Sequence, residues 1–330
     1  MIKSSLALGP MSSEIIEAIF LYSHFHRKQL MIIASKNQID YDGGYVMKTK
    51  EFMEFVKKMK ENYPDSDVLI ARDHGGPLFN GNSDLNDVYK TFEEDIKSGF
   101  DIIHVDFCHY QPRERQLEET KKAIEYCLNL NPRIKIEIGT DENIGTNYGI
   151  MNLKEIENEI NYFKEFSDNI EFYVIQTGSL VKEINQVGNF NKEFVKKILE
   201  MLKSRKIKLK EHNADYLSKA EIQEREGIID AMNIAPQLGV IQTMTTLKKC
   251  LIYGIDFTDF LNEVYEKERW KKWMHNNTSD NKFLCCAIAG HYHFASNNYK
   301  KIIEKLNERE DIKETITNEI MGVIDHYVGK

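Results

Sequence analysis

Along this chain short apolar runs rich in β-formers alternate with longer stretches in which apolar residues return at helical period. The runs fall at 31–34, 68–71, 102–106, 134–138, 172–176, 207–211, 227–232 and 283–289. Most of their starts lie roughly 32 to 37 residues apart, the length of one strand, one helix and two short connections. Helices are expected at 50–62, 85–98, 116–130, 153–166, 192–204 and 299–307, with Asn191 and Asn298 as N-caps. The spacing fails twice: the sixth and seventh runs are closer than a full unit, and the seventh and eighth are separated by 243–281, expected as two extra helices. Within them Trp270 and Trp273 fit one packed helix face. The segment 12–27 reads as a helix capping the barrel bottom. Eight strand-helix units predict an α/β fold, a closed (β/α)8 TIM barrel. No linker rich in Pro, Gly or Ser divides the sequence, so 1–330 is expected to be a single domain. A doubly wound sheet would show the same alternation. No Gly-x-Gly-x-x-Gly follows the first strand, and the number of repeats favours the barrel.

Composition narrows the function. At 330 residues and 42% hydrophobic the chain has material for a large core. It has no apolar run of membrane-spanning length, and its first residues lack a charged-then-apolar export pattern, so a cytoplasmic protein without membrane contact is expected. The five cysteines, two of them adjacent as Cys285-Cys286, form no Cys-x-x-Cys pair and suggest buried reduced thiols rather than a disulfide framework. A formal net charge of −8 argues against a nucleic-acid surface, which needs a clustered cationic excess.

In such a barrel the chemistry sits just past the C-terminal ends of the strands, and these positions are rich in polar residues. His74 and His212 each follow a strand directly with a carboxylate nearby and are the leading metal-ligand candidates, with His109 as a further one. Imidazoles and carboxylates converging from several strands suit a divalent metal, Zn2+ first and Mn2+ or Co2+ as alternatives. A strand-end carboxylate left free of the metal would transfer protons, and the candidates are Asp73, Asp106 and Glu142. Asn37, Gln38, Gly44, Arg72, Gln176, Asp215, Asn233 and His291 are the expected substrate contacts. Taken singly, any one of these residues could merely cap a helix or bond a loop; their joint occurrence at strand ends is the signal. Gly43-Gly44, Gly75-Gly76 and Gly178 would let backbone amides approach a phosphate or hydroxyl, although tight βα turns need glycine anyway. His24, His26, His275 and His326 read as surface or packing residues.

Five strings in chain order resemble a known family. Asn37-Gln38-Ile39-Asp40-Tyr41-Asp42-Gly43-Gly44-Tyr45, Asp73-His74-Gly75-Gly76-Pro77, Ile103-His104-Val105-Asp106, Ile138-Gly139-Thr140-Asp141 and Glu211-His212-Asn213-Ala214-Asp215-Tyr216 are similar to segments of the tagatose-bisphosphate aldolase accessory subunit family. That family is the larger, non-catalytic partner in class II D-tagatose-1,6-bisphosphate aldolase. The resemblance implies an aldolase-like barrel in which Asp73 protonates or deprotonates the cleaved carbon while His74 and His212 hold the metal that stabilises an enediolate. By the same resemblance Glu137 or Asp106 is a further ligand or its supporting partner. A glycine-rich phosphate loop on the later strands and an Asp-Arg phosphate pair after the eighth are missing, so two phosphates are not implied. The expected function is a metal-dependent aldolase-type lyase acting on a ketose or ketose phosphate. The alternatives are an epimerase using the same site and a non-catalytic subunit stabilising a class II aldolase partner. The expected partners are a sugar or sugar phosphate, a catalytic aldolase subunit, and further copies of the chain as a homo-oligomer.

Overall fold

The structure is a computed structural model that describes residues 2–3, 5–141 and 152–329; the candidate Glu142 lies outside them. Eight strands form the barrel: β1 (Leu6–Leu8), β2 (Gln29–Ser35), β3 (Asp67–Asp73), β4 (Ile102–His104), β5 (Lys135–Gly139), β6 (Ile170–Ile175), β7 (Lys208–Glu211) and β8 (Ala231–Ile234). They pair in sequence order, all parallel, and β8 closes on β1. Strands covered on both faces are apolar nearly throughout. In β2, Met31 and Ile33 point inward to a small cluster with Ala7, Ala71, Ile102, Phe172 and Ala231. Leu30, Ile32 and Ala34 point outward into the larger core beneath the helices.

The outer layer contains α1 (Ser13–His26), α2 (Thr49–Asn62), α3 (Leu85–Ser98), α4 (Arg113–Leu130), α5 (Leu153–Tyr162), α6 (Lys192–Lys203) and α7 (Lys219–Arg225). After the last strand come α8 (Pro236–Tyr253), α9 (Thr258–Glu266), α10 (Lys282–Ala289), α11 (Asn297–Asn307) and α12 (Ile312–Val328). The barrel is the one expected, but its strands are counted differently. The run 283–289 is α10, capped by Asn281, because a continuous apolar stretch can be a buried helix as readily as a strand. The missing strand is β1, only three residues long and wholly buried. The stretch 243–281 is helical as expected, yet it follows all eight strands instead of separating two of them. Likewise the helix at 12–27 comes after a strand, not before all of them, and packs on α12, β2 and β3 as the first helix of the ring. The close sixth and seventh runs are joined through α7, a helix of seven residues. Asn191 caps α6 as expected; Ser296, not Asn298, caps α11.

Candidate metal centre and cavity

At the C-terminal mouth, β3, β4 and β5 deliver Asp73, His104 and Glu137, and residues just beyond β3, β4, β5 and β7 add His74, Asp106, Asp141 and His212. His74 occupies a left-handed conformation, with φ 44°, which a side chain other than glycine adopts at some cost. From there its backbone N–H donates to His104 Nδ1 at 3.2 Å. That bond fixes the tautomer of His104, whose Nε2–H then donates to the Gly139 carbonyl at 3.0 Å. Both ring nitrogens are spent, burial holds the His104 pKa below its ordinary value, and the residue is a neutral strut, not a ligand.

His74 and His212 have nitrogens to spare. Nδ1 of His74 lies 2.8 Å from Asp106 Oδ2, and Nε2 of His212 lies 3.3 Å from Glu137 Oε1. The opposite nitrogens, His74 Nε2 and His212 Nδ1, converge 3.3 Å apart with Asp141 Oδ1 at 3.3 and 3.0 Å from them. Asp141 Oδ1 is buried and has no hydrogen bond of acceptable geometry. Its other oxygen accepts from Asn213 Nδ2 at 2.5 Å, so the orphaned atom is held in place. Two imidazoles each backed by a carboxylate, and a third oxygen with its lone pairs unspent, fit a divalent cation. Asp73 Oδ1, likewise buried and unpartnered, stands 4.0 Å from His212 Nε2.

The electrostatics agree with this division. Burial opposes charge on His212, but the Asp141 carboxylate outweighs it and pushes the pKa up to about 9. For His74 burial is likewise overcome, by Asp73 and then Asp106 and Asp141, and the pKa lies well above the ordinary value. Burial would favour the acid form of Glu137; the Lys210 ammonium, 2.6 Å from Oε2, overrides it and holds the carboxylate well below its usual range. Asp106 and Asp141 are also held low against burial, by the His74 bond and by His212 respectively. Without a metal, protons on the imidazoles fill its place electrostatically.

The mouth opens into a cavity of about 630 Å3, lined on the cluster side by Asp73, His74, Asp141 and His212 and elsewhere by Asn37, Gln38, Asp215, Asn233 and His291. Arg72 is not among the lining residues. It is 1% exposed, forks onto both carboxylate oxygens of Asp95 at 2.6 Å, and donates to the carbonyls of Ala34 and Ile39, so it is a structural brace. Gly44 does not line the cavity either; an added Cβ would sit 2.2 Å from the Gln38 carbonyl oxygen, so close backbone packing requires glycine there. The same holds for Gly76, whose Cβ would lie 1.5 Å from the Asp106 carbonyl oxygen, which makes the Gly75-Gly76 turn a contact with the neighbouring strand end. Gln176 braces the Asp141 carbonyl from behind at 3.3 Å. His109 joins no group of converging donors among the described residues: β4 ends at His104, the chain runs outward, and the His109 ring packs on Phe79. Trp270 is buried against Tyr265 as a packing residue, whereas Trp273 lines the cavity. Sequence reasoning gave no role to His104, Asp141 or Lys210, and it placed Trp273 on a packed helix face instead of in the cavity. Asp141 and His104 stood inside the quoted strings, but nothing in a linear sequence distinguishes a ligand from a strut.

In fold the chain is similar to the aldolase-like TIM barrels. Residues 7–124 match the model of the family described as D-tagatose-1,6-bisphosphate aldolase subunit GatZ/KbaZ-like, so the resemblance is shown over β1 to α4, including Asp73 and His74. Among solved structures, the chain is similar over 98% of its length to 99% of a probable tagatose 6 phosphate kinase from Sinorhizobium meliloti 1021, at TM-score 0.77 and 15% identity. It also resembles a fructose-bisphosphate aldolase from Campylobacter jejuni, at TM-score 0.59 and 13% identity over 98% of this chain and 89% of that one. The YdjI aldolase from Escherichia coli K12 aligns at TM-score 0.54 and 12% identity, over 94% and 93%. At these identities the structures share the fold.

Proposed function

We propose that the chain is a metal-dependent lyase of the aldolase type acting on a ketose or a ketose derivative. The observation that carries this reading is the convergence of His74 Nε2, His212 Nδ1 and the orphaned Asp141 Oδ1 on one point at the cavity floor. These three would hold the divalent cation, with Zn2+ the best match to a set of two imidazoles and one carboxylate. When bound, it supplies positive charge for negative charge developing on a substrate oxygen. Asp106 and Glu137 orient the two imidazoles, and Lys210 keeps Glu137 anionic. Asp73, which lines the cavity and has an unpartnered oxygen, moves the proton at the reacting carbon. The same equipment would serve an epimerase: a lyase breaks the C–C bond and then protonates the carbon left behind, whereas an epimerase removes a proton from carbon and returns one to the opposite face.

A second reading is a non-catalytic aldolase subunit, and two observations favour it: the matching family is described as an aldolase subunit, and α8 ends in exposed Leu251 and Ile252 beside Tyr253. We read the chain as one domain acting in the cytoplasm, with all five cysteines buried and unbridged. Among the described residues no helix is long and apolar enough to cross a membrane. The test is elemental analysis followed by a screen of ketoses and ketose phosphates for cleavage and epimerisation. About one bound Zn2+ or Mn2+, with turnover suppressed by Asp73→Asn while the metal stays, supports the lyase. Bound metal without any turnover supports the subunit, and no metal under any loading condition removes the metal-dependent reading.

A further inference from the structure

The cavity that holds the carboxylate and imidazole cluster is lined by cations as well. The short helical turn Arg269–Trp273, which follows α9, brings Arg269, Lys271 and Lys272 to its lining. Lys271 is already paired with Glu268 at 2.6 Å. Arg269 and Lys272 have no ion-pair partner among the described residues. The Arg269 guanidinium lies 4.9 Å from the Tyr292 ring centre, and the Lys272 ammonium lies 4.6 Å from Trp273 and 5.6 Å from Tyr292. An aromatic face steadies a cation without consuming its N–H donors, so both groups keep their hydrogen-bonding capacity.

Two buried side chains of the same cavity point to what those donors meet. His291 is 1% exposed and Asn233 is 4% exposed, both line the cavity, neither amide atom of Asn233 has a partner, and neither ring nitrogen of His291 makes a hydrogen bond of acceptable geometry, its one backbone neighbour being Ile288. Buried polar atoms are normally paired, and unpaired ones in a cavity mark where a ligand supplies the missing bonds. Burial first, and then the Lys272 charge, push the His291 pKa down to about 3. The ring is therefore neutral, with one donor and one acceptor, which is the chemistry of a hydroxyl contact.

We propose that Arg269 and Lys272 receive an anionic group, phosphate or carboxylate, at the end of a polyhydroxylated substrate remote from the metal centre, while His291 and Asn233 bind hydroxyls between. The substrate would then be a sugar phosphate or a sugar acid, and a neutral sugar of the same length would leave both cations without a partner. The inference rests on the lyase reading for the orientation of the substrate, but its own test does not need the metal.

The full chain, stripped of metal by chelation, is titrated calorimetrically with inorganic phosphate, sorbitol 6-phosphate, gluconate and sorbitol, alongside the Arg269→Gln/Lys272→Gln double variant. The expected result is binding of at least one anion, at least about tenfold weaker in the double variant and weakened by added salt, with sorbitol tenfold weaker or undetectable in both proteins. Preference between sorbitol 6-phosphate and gluconate then decides whether the group is phosphate or carboxylate. Equal binding of sorbitol and sorbitol 6-phosphate, anion affinity unchanged in the double variant, or no anion binding at all overturns the proposal. Metal content, measured on the same preparations before stripping, reads the lyase hypothesis separately: anion binding without a metal site sinks only that hypothesis, and a metal site without charge preference sinks only this one.

Discussion

His74 Nε2 and His212 Nδ1 face each other across 3.3 Å with their rings nearly perpendicular, at 84°. Asp141 Oδ1 closes the third side at 3.0 Å from one and 3.3 Å from the other. Lone pairs brought this close repel unless a cation or protons lie among them, so the arrangement predicts a metal whose loss follows the loss of either imidazole. His74→Ala and His212→Ala should each bind Zn2+ at least about a hundredfold more weakly than the parent, a larger loss than changes outside the ligand set usually cause. Competition with a chromophoric chelator measures it, and retention of full affinity in either variant removes that residue from the set.

Asp106 does not line the main cavity, yet it orients a ligand. Its Oδ2 receives Nδ1 of His74 while its Oδ1 accepts from the Cys108 backbone at 3.0 Å. Asp106→Asn should therefore lower metal affinity about 10- to 100-fold while leaving the folded state intact by circular dichroism. An unchanged affinity would show that His74 is held well enough by its stacking on Phe79, 4.6 Å between ring centres.

These two cases show what the sequence could and could not disclose. The barrel was legible because βα repeats leave a period, and His74 and His212 because each follows a strand end directly. The eighth strand was not, since Phe283-Leu284-Cys285-Cys286-Ala287-Ile288-Ala289 is as apolar as a strand and Leu6-Ala7-Leu8 is too short to show a pattern. Arg72 looked like a substrate contact because it is a polar residue at a strand end, but successive residues of a strand face opposite sides, and this one faces α3 and its Asp95. Asp141 needed the fold to bring it beside two histidines from other strands.

Lys210 and Glu137 form an ion pair inside the barrel, each 1% exposed at the side chain, with the ammonium also 5.2 Å from the Phe172 ring centre. Removing one partner of a buried pair leaves the other charge uncompensated. Lys210→Met should cost about 3–5 kcal/mol of stability in urea denaturation, and Lys210→Met/Glu137→Gln should recover part of it. Additive losses in the double variant would mean that the two charges do not depend on each other.

Asp215 gives the fold a pH dependence that can be read apart from the metal. Its Oδ1 accepts from the backbone amides of Ala235 and Gln237 at the start of α8, at 3.0 and 2.8 Å, yet it is 1% exposed and burial raises its pKa from 3.8 to about 7. A carboxyl whose pKa is higher in the folded state binds more protons folded than unfolded between those two values. Its contribution therefore destabilises the fold progressively as pH rises from about 4 to about 7 and is constant above that, amounting to at most about 4 kcal/mol. Asp215→Asn keeps an oxygen acceptor for the two amides and removes the titration. The metal-free variant should lose less stability than the parent between pH 4 and pH 7, with the curves running parallel at higher pH. Urea midpoints at half-unit pH steps measure this, and identical slopes in the two proteins would mean that Asp215 is ionised throughout, held by the helix end it caps.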